Sequence, residues 1–410
     1  MKYKISRRSA HLKGEISLAP TKSVGNKMLV LRVLKNSSIT QRIANEHEDA
    51  LMVNERMFAN GKRGGVYRGV RYARAVLNYF GGDWLISSSD IIKGKAAQKF
   101  VKILNQSGIR IGYEKREGQP PIRVVGKNVR GNVIRVDGSI NSKMAEIRFI
   151  FPSNSPVEAL FQLRDTIYKT NYINMSLKAL QRLGVNTEWD SQEVLIEQEV
   201  IDGSELHLEA DWSLVSYWYL WATLLRRSEL TIAGLSLDDI QPDMAVKELF
   251  DGFFGIRTIR NSKGITLLRD GKPKGSFIHN FTNYPNLIPA VAVACVGKGI
   301  PFIIGGIESL RQREVDRIEA LQRELRRVGA QIEIMSTDKG ETINFNGHSD
   351  IENIKEVEFN TYDDGRLALA LVAFSALGIN ITLKNPLVVN KSYLNFWDEA
   401  IRLGLIYAHE

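Results

Sequence analysis

Two lysines and a serine surround a glycine in the segment LAPTKSVGNK, residues 18–27, and an apolar run, MLVLRVL, follows at once. Lys22 and Lys27 are cations and Ser23 adds a hydroxyl, so these side chains could hold a small anion. A helix start favours an anion as well, because its N–H groups are unpaired and its dipole is positive there. Ser, Thr and Asn also serve at helix starts as caps alone. The segment therefore predicts either a capped helix start or an anion-binding turn.

A second charged cluster lies at the start of a strongly amphipathic segment, SLRQREVDRIEALQRELRRVG, residues 309–329. Its arginines could bind a carboxylate or phosphate with a bidentate fork, beside the free N–H groups of the helix start. The alternative is a solvated helix face with ion pairs four residues apart. The charged residues concerned are Arg311, Arg313, Glu314, Asp316 and Arg317.

The composition of the chain that carries these residues is that of an ordinary globular protein. It has 410 residues, is 44% hydrophobic and 25% charged, and carries a formal net charge of +9. Its length predicts two or three domains. Its apolar runs are broken by Gly, Pro and Lys below the length of a membrane span, and no signal peptide is apparent. The only cysteine, Cys295, lies in an apolar run. We therefore expect a cytoplasmic protein without disulfides or membrane contact.

The basic balance admits nucleic acid or small anions as partners. We find no zinc-finger spacing, no aromatic RNA-binding motif and no dense Lys/Arg run, so small anions fit better and nucleic acid is not expected. No G-x-G-x-x-G at a helix start, Walker A, H-E-x-x-H, C-x-x-C or G-x-S-x-G motif is present, and the six histidines do not cluster. No metal and no cofactor is therefore expected. The protein is predicted to be a monomer.

A repeat organises the chain. Five amphipathic helices each end at a glycine, and these glycines follow one another at intervals of about 75 residues. A turn and a further strand follow most of them, as in NSKGITLLRD and TDKGETINFN. A sixth, shorter module ends at Gly61. The pattern predicts a mixed α/β chain of six similar modules, three in each of two globes with a cleft between them. The five glycines are Gly108, Gly184, Gly255, Gly329 and Gly404.

Seven motifs resemble, in order, those of the enolpyruvyl transferase family, and closest those of the 5-enolpyruvylshikimate-3-phosphate synthases. LAPTKSVGNK is similar to P-x-S-K-S-x-S-N-R, GQPPI to G-x-P-P-[IL], DGSINSK to G-S-x-S-S-Q and EADWSLVSYW to D-x-S-[AS]-A-S-Y. REVDRIEALQRELRRVGA resembles K-E-x-D-R-…-E-L-…-G, TYDDGR resembles T-Y-x-D-H-R, and VVNKSYLNFW resembles x-x-K-[ST]-[FY]-…-F. The matches run from residue 18 to 397 and so cover nearly the whole chain.

The resemblance implies two globes of three βαβαββ-type units each, an inside-out α/β barrel arrangement with a cleft between the globes. It places residues 1–18 and 211–410 in the first globe and 19–210 in the second, with hinges near 18–22 and 208–213. The implied reaction moves the enolpyruvyl group of phosphoenolpyruvate onto a hydroxyl of a phosphorylated cyclic acceptor and releases phosphate, as in the shikimate pathway of aromatic amino acid biosynthesis. Both partners are small anions, phosphoenolpyruvate and a phosphorylated or carboxylated acceptor, and no cofactor is implied.

The resemblance also implies roles for individual residues. Lys22 and Glu314 match catalytic residues, and Asn286 stands at a third catalytic position. The residues that match phosphoenolpyruvate-binding cations are Lys22, Arg74, Lys95, Arg317, Arg366 and Lys391. The residues at acceptor-binding positions are Ser23, Lys27, Asn141, Ser142, Lys143, Lys169, Tyr172, Ser309 and Arg313.

Two departures from the family pattern bear on the chemistry. Asn286 stands where the family has an aspartate that accepts the hydroxyl proton, and an amide cannot serve as a general base. Gly365 stands where the family has a histidine in T-Y-x-D-H-R. The protein is then either a divergent 3-phosphoshikimate enolpyruvyl transferase in which Glu314 or Glu48 and Asp49 take over proton transfer, or a paralogue with another acceptor or with binding alone. A basic scaffold for nucleic acid is the third hypothesis, and it predicts steep loss of binding with salt.

Overall fold

A computed structural model describes residues 1–18, 210–238, 240–311, 315–338 and 340–409, together with short segments between 82 and 196. The chain divides into two compact units. The first unit is Met1–Thr21 with Glu209–Glu410, and the second unit is Lys22–Leu208.

Strands occur in both units. In chain order they are β1 Lys2–Arg7, β2 His11–Ser17, β3 Gly82–Ile86, β4 Arg110–Tyr113, β5 Ile122–Gly126, β6 Val133–Asp137, β7 Ala159–Arg164, β8 Thr187–Trp189, β9 Glu193–Ile196, β10 Arg227–Ala233, β11 Ile256–Asn261, β12 Gly264–Arg269, β13 Phe277–Asn280, β14 Phe302–Gly305, β15 Ile332–Thr337, β16 Gly340–Phe345, β17 Glu356–Phe359, β18 Asn380–Lys384 and β19 Ile406–His409.

The α-helices of the described residues connect these strands. They are α1 Thr170–Gln181, α2 Trp212–Leu224, α3 Val246–Phe254, α4 Ile288–Lys298, α5 Glu308–Arg311, α6 Arg317–Arg326, α7 Gly365–Val372 and α8 Phe396–Arg402. Short 3-10 helices complete the first unit, at Pro242–Ala245, Pro285–Leu287, Ala373–Leu377 and Pro386–Lys391.

The first unit contains three four-stranded sheets with one common strand order. The orders are β2-β10-β12-β11, β13-β14-β16-β15 and β17-β18-β1-β19. In each sheet the first two strands are parallel and the other neighbours are antiparallel. The modules therefore follow a βαβαββ pattern, and the third is completed by β1 from the start of the chain. The predicted α/β class with repeated modules is confirmed.

Each sheet of the first unit buries one face, as the alternation of its residues dictates. In β10 the residues Leu230 and Ile232 point inward, and they lie opposite Leu267 and Ile265 of β12. Side chains two positions apart share a face of a strand, so this apolar period of two forms a continuous buried layer.

Three buried helices, α2, α4 and α7, lie at the centre of the first unit. Every residue of α2 is buried, which is expected for WSLVSYWYLWATL because this helix is apolar all round. Helix α2 contacts α4 and α7, and α4 contacts α7. Cys295 on α4 is fully buried. None of the helices among the described residues combines the length and apolarity that a membrane span requires.

Three of the predicted helix ends are confirmed. Gly255, Gly329 and Gly404 have positive φ angles of 69°, 73° and 67°, the left-handed conformation that favours glycine after a helix. Gly61, Gly108 and Gly184 lie outside the described residues.

The described part of the second unit repeats the same strand orders. One sheet is β6-β7-β9-β8, with β6 and β7 parallel and α1 between β7 and β8. The other is β3-β5-β4, all antiparallel, which matches the last three strands of a module.

Candidate functional site

The candidate site lies in the third module of the first unit, at the carboxyl ends of the parallel strands β17 and β18. Because the strands are parallel, the loops that follow them leave the same edge of the sheet. The loop after β17 contains TYDDGR, residues 361–366, and Pro386–Lys391 follows β18. Helix α7 contacts Pro386–Lys391, so the two segments are packed together.

Asp364 organises this loop with both of its carboxylate oxygens. Oδ1 accepts hydrogen bonds from the backbone N–H groups of Arg366, at 2.9 Å, and Leu367, at 3.2 Å, which caps α7. Oδ2 accepts a hydrogen bond from Arg317 Nε at 2.5 Å. Burial by itself raises the pKa of Asp364, but the Arg317 charge and these hydrogen bonds lower it below its ordinary value.

Arg317 is the first residue of α6 and is almost completely buried, with 4% of its side chain exposed. Its Nη1 is buried and has no hydrogen-bond partner among the described residues. Buried N–H groups nearly always have an acceptor, so this guanidinium edge is suited to an anionic ligand.

Arg366 joins the start of α7 to the start of α2. Its Nη2 donates to Ser213 Oγ at 2.8 Å, and Ser213 Oγ donates to Asp211 Oδ1 at 2.5 Å. Asp211 caps α2 by accepting from the Ser213 backbone N–H at 2.9 Å. Burial raises the pKa of Tyr217 to about 12, while the charges of Arg366 and Arg317 act in the opposite direction.

Lys391 lies at the end of Pro386–Lys391 and is paired with the other aspartate of the loop. Its Nζ lies 2.6 Å from Asp363 Oδ2, and Asn385 Nδ2 donates to Asp363 Oδ1 at 3.2 Å. The Lys391 and Asp363 side chains are each 63% exposed. Asp363, its neighbour Tyr362 and Asn385 all have positive φ angles, an uncommon conformation that costs free energy and is frequent at functional sites.

A buried carboxylate on α6, that of Glu324, holds the Asp364 loop through two hydrogen bonds. Glu324 is fully buried and accepts hydrogen bonds from Tyr362 Oη at 2.8 Å and from the Asn360 backbone N–H at 3.0 Å. Arg327 lies 3.0 Å from the same carboxylate. Glu324 follows Arg317 by two helical turns, so one face of α6 supplies both the site cation and the loop anchor.

Gly365 has no room for a side chain. A Cβ at this position would lie 2.6 Å from the Val388 carbonyl oxygen and 2.9 Å from Ser392 Oγ. The position at which the family carries a histidine is here a close contact between α7 and the segment that carries Lys391.

Asn286 and Ser309 belong to the second module of the first unit. Asn286 is half-buried in Pro285–Leu287, directly before α4, and this turn contacts α2. Ser309 is half-buried in α5, which follows the parallel neighbour of β13.

The start of α6 corrects one expectation. Asp316 caps this helix and accepts from the N–H groups of Ile318 and Glu319, so these groups are not free for a ligand. Arg311 is paired with Asp316 at 3.0 Å and with Glu341 at 2.6 Å. Within this charged cluster Arg311 is engaged in ion pairs, although not in the predicted pairs four residues apart, whereas Arg317 points to the Asp364 loop.

The remaining predicted residues cannot be placed in the same way. Tyr172 lies on α1 in the second unit. Outside the described residues lie Lys22, Ser23, Lys27, Glu48, Asp49, Arg74, Lys95, Asn141, Ser142, Lys143, Lys169, Arg313 and Glu314. Of the predicted phosphoenolpyruvate-binding cations, the structure brings Arg317, Arg366 and Lys391 together around one loop.

Sequence reasoning missed the carboxylates of this site. Asp211, Asp363 and Asp364 balance the three cations in formal charge. The Asp-x-Ser at 211–213, ahead of an apolar run, is a recognisable cap signal. Nothing in the sequence pairs Asp363 with Lys391, because the two are brought together by packing. No group of three or more His, Cys, Asp or Glu in the described part of the chain is arranged to hold a metal ion.

Known proteins are similar to this chain over a region that includes the candidate site. A family model described as EPSP synthase (3-phosphoshikimate 1-carboxyvinyltransferase) matches residues 90–400, which include the whole Asp364 loop. The chain belongs to the EPSP synthase family. A 3-phosphoshikimate 1-carboxyvinyltransferase of Bacteroides fragilis is 26% identical over 408 residues and covers 98% of both chains. One of Vibrio cholerae is 23% identical over 427 residues, covering 96% of this chain and 97% of the relative.

Solved structures agree on the fold. EPSP synthase from Acinetobacter baumannii superposes with a TM-score of 0.73 at 16% identity, covering all of both chains. The enolpyruvyl transferase NikO from Streptomyces tendae gives a TM-score of 0.69 at 13% identity, covering 100% of this chain and 99% of the other. The predicted family and its transferase class are confirmed, and so is the two-domain α/β fold.

Proposed function

We propose that this protein transfers the enolpyruvyl group of phosphoenolpyruvate to a hydroxyl of a phosphorylated cyclic acceptor, with release of phosphate. The relatives are named for 3-phosphoshikimate, so this compound is the first acceptor to test. The protein would act without a metal or cofactor, as a cytoplasmic monomer on small anionic substrates.

The convergence of Arg317, Arg366 and Lys391 around the Asp364 loop is the observation that carries the proposal. Phosphoenolpyruvate has a phosphate and a carboxylate, and guanidinium groups bind both in a bidentate manner. The two arginines are held by Asp364 and Ser213, so little side-chain entropy is lost when a ligand binds.

The other predicted residues keep their proposed roles. Lys22 and Glu314 would carry out proton transfer, and Lys22, Arg74 and Lys95 would complete the phosphoenolpyruvate site. The residues proposed to bind the acceptor are Ser23, Lys27, Asn141, Ser142, Lys143, Lys169, Tyr172, Ser309 and Arg313.

A second candidate function is enolpyruvyl transfer to a different acceptor, or anion binding without turnover. The observation that favours it is the amide of Asn286, which stands at the position of the family's aspartate and cannot remove a proton from a hydroxyl.

A phosphate-release assay with phosphoenolpyruvate and 3-phosphoshikimate separates the two candidates. The variants are the wild type, Asn286→Asp and Asn283→Asp, which adds the same charge at an exposed position of the preceding turn. If 3-phosphoshikimate is the acceptor and the base is missing, we expect weak wild-type turnover that rises about a hundredfold in Asn286→Asp alone.

Robust wild-type turnover that Asn286→Asp leaves unchanged would support the first candidate with another group as the base. Binding of phosphoenolpyruvate without turnover in any variant would support the second candidate. No binding of phosphoenolpyruvate by calorimetry would refute enolpyruvyl transfer to either acceptor.

A further inference from the structure

The cations of the candidate site are already occupied by carboxylates of the chain itself. Arg317 is paired with Asp364, Lys391 is paired with Asp363, and Arg366 reaches Asp211 through Ser213. An anion that enters this site therefore meets a cluster whose formal charges cancel. Unless one carboxylate moves, repulsion by the carboxylates offsets part of the attraction of the cations for the ligand.

The carboxylates differ in how firmly they are held. Asp364 has 15% of its side chain exposed, caps α7 and accepts from a buried guanidinium, so its removal would leave unpaired N–H groups. Asp211 caps α2 in the same way. Asp363 is instead 63% exposed, and its partners are the equally exposed Lys391 and the Asn385 amide. Exposed ion pairs of this kind contribute little to stability, so Asp363 moves at the lowest cost.

We propose that Asp363 is an internal competitor for Lys391, and that the ligand anion must displace it in order to bind. This inference rests on the proposed function, since it takes phosphoenolpyruvate as the ligand. Asp363 then determines specificity through charge. A ligand with two or more negative charges gains enough from Lys391 to replace a single carboxylate, whereas a monoanion does not.

The loop is built so that Asp363 can leave Lys391 without disturbing the rest of the site. Glu324 fixes the preceding residues through Tyr362 Oη and the Asn360 N–H, and Asp364 fixes the following helix. The backbone of Asp363 has a φ of 55°, a conformation that asparagine tolerates as well as aspartate. Asp363→Asn therefore removes the charge and retains the shape of the loop.

The test is isothermal calorimetry with phosphoenolpyruvate on the wild type, Asp363→Asn and a matched control, Glu358→Gln. Glu358 is an exposed carboxylate at β17, paired with Lys2 at 2.6 Å and Lys384 at 2.7 Å, and it lies outside the site. We expect Asp363→Asn to bind phosphoenolpyruvate about tenfold more tightly, since it removes a like charge next to the ligand, and Glu358→Gln to change the affinity less than about twofold.

A double-mutant cycle with Lys391→Met identifies the residue over which the two anions compete. In that background the gain from Asp363→Asn should fall to less than about twofold. If Asp363 only supports the loop, Asp363→Asn binds phosphoenolpyruvate as weakly as the wild type or more weakly, and this result overturns the inference while leaving the proposed function intact. If neither the wild type nor Asp363→Asn binds phosphoenolpyruvate, the proposed function and the inference fail together.

Discussion

Glu324 gives the sharpest test of how the candidate site is held in place. Its side chain is fully buried and accepts from Tyr362 Oη at 2.8 Å and from the Asn360 N–H at 3.0 Å, with Arg327 at 3.0 Å. Glu324→Gln keeps the size of the side chain but replaces one acceptor oxygen by an NH2 group. The amide oxygen can still accept from the Asn360 N–H and Arg327, and the NH2 group can donate to the Tyr362 hydroxyl, but the negative charge that strengthens all three interactions is lost, which costs about 2 kcal/mol.

The measurement is urea unfolding followed by tryptophan fluorescence, because most tryptophans report on the first unit: Trp212, Trp218, Trp221 and Trp397. We expect Glu324→Gln to lower the free energy of unfolding of that unit by about 2 kcal/mol and to weaken phosphoenolpyruvate binding, since the Asp364 loop is no longer anchored. Tyr362→Phe removes a single hydrogen bond to the same carboxylate and should cost about 1 to 2 kcal/mol.

The matched control is Glu319→Gln on the same helix. Glu319 pairs with Arg323 at 3.2 Å across one turn, and 43% of its side chain is exposed. Its loss should therefore cost less than about 0.5 kcal/mol. If Glu324→Gln proves as harmless as this control, the buried network does not anchor the loop, and the structural reasoning about the site is wrong.

Two further predictions concern the start of α7. Asp364→Asn should destabilise the protein by about 3 kcal/mol at neutral pH, because it leaves the buried Arg317 charge without its partner. Since the folded pKa of Asp364 is below its ordinary value of 3.8, the wild type loses this stability as the pH falls through the folded pKa; acid titration followed by circular dichroism should show a smaller loss in Asp364→Asn. Gly365→Ala should cost about 2 kcal/mol in urea unfolding, because its Cβ would lie 2.6 Å from the Val388 carbonyl oxygen, whereas Gly252→Ala in α3, with no atom within 4 Å, should be neutral or stabilising. Equal effects of the two alanine substitutions would contradict the close contact, and an unchanged acid transition in Asp364→Asn would contradict the pairing.

The repeated modules were predictable from the sequence because their signals are local. A glycine in the left-handed conformation commonly ends a helix, and three of the predicted positions, Gly255, Gly329 and Gly404, have that conformation. The completion of the third module by β1 was not predictable in this way. It depends on pairing with β18 and β19, nearly the whole chain away, and no local pattern specifies a partner at that distance.

The candidate site shows the same difference between residues that local sequence patterns identify and contacts that only packing brings about. Arg317, Arg366 and Lys391 were identified from short motifs that resemble those of the family, and the structure brings them together around one loop. Their carboxylate partners were not, since hydrogen bonds such as that from Arg317 Nε to Asp364 join elements that only packing brings together. The sequence motifs therefore identify the cations proposed to bind a ligand, but they do not identify the carboxylates with which these cations are already paired.

The close contact at Gly365 and the ion pair of Asp363 depend on the same approach of the segment Pro386–Lys391 to the start of α7. Without a side chain at Gly365, the backbone of Val388 and the hydroxyl of Ser392 approach the start of α7, and the segment that ends in Lys391 is drawn against the loop. The same approach brings Asn385 and Lys391 within hydrogen-bonding distance of Asp363. A histidine at 365 would require this segment to move away and would separate the pair. The departure at 365 therefore does more than remove a ring from the site, because it creates the contact through which Asp363 controls access of an anion to Lys391.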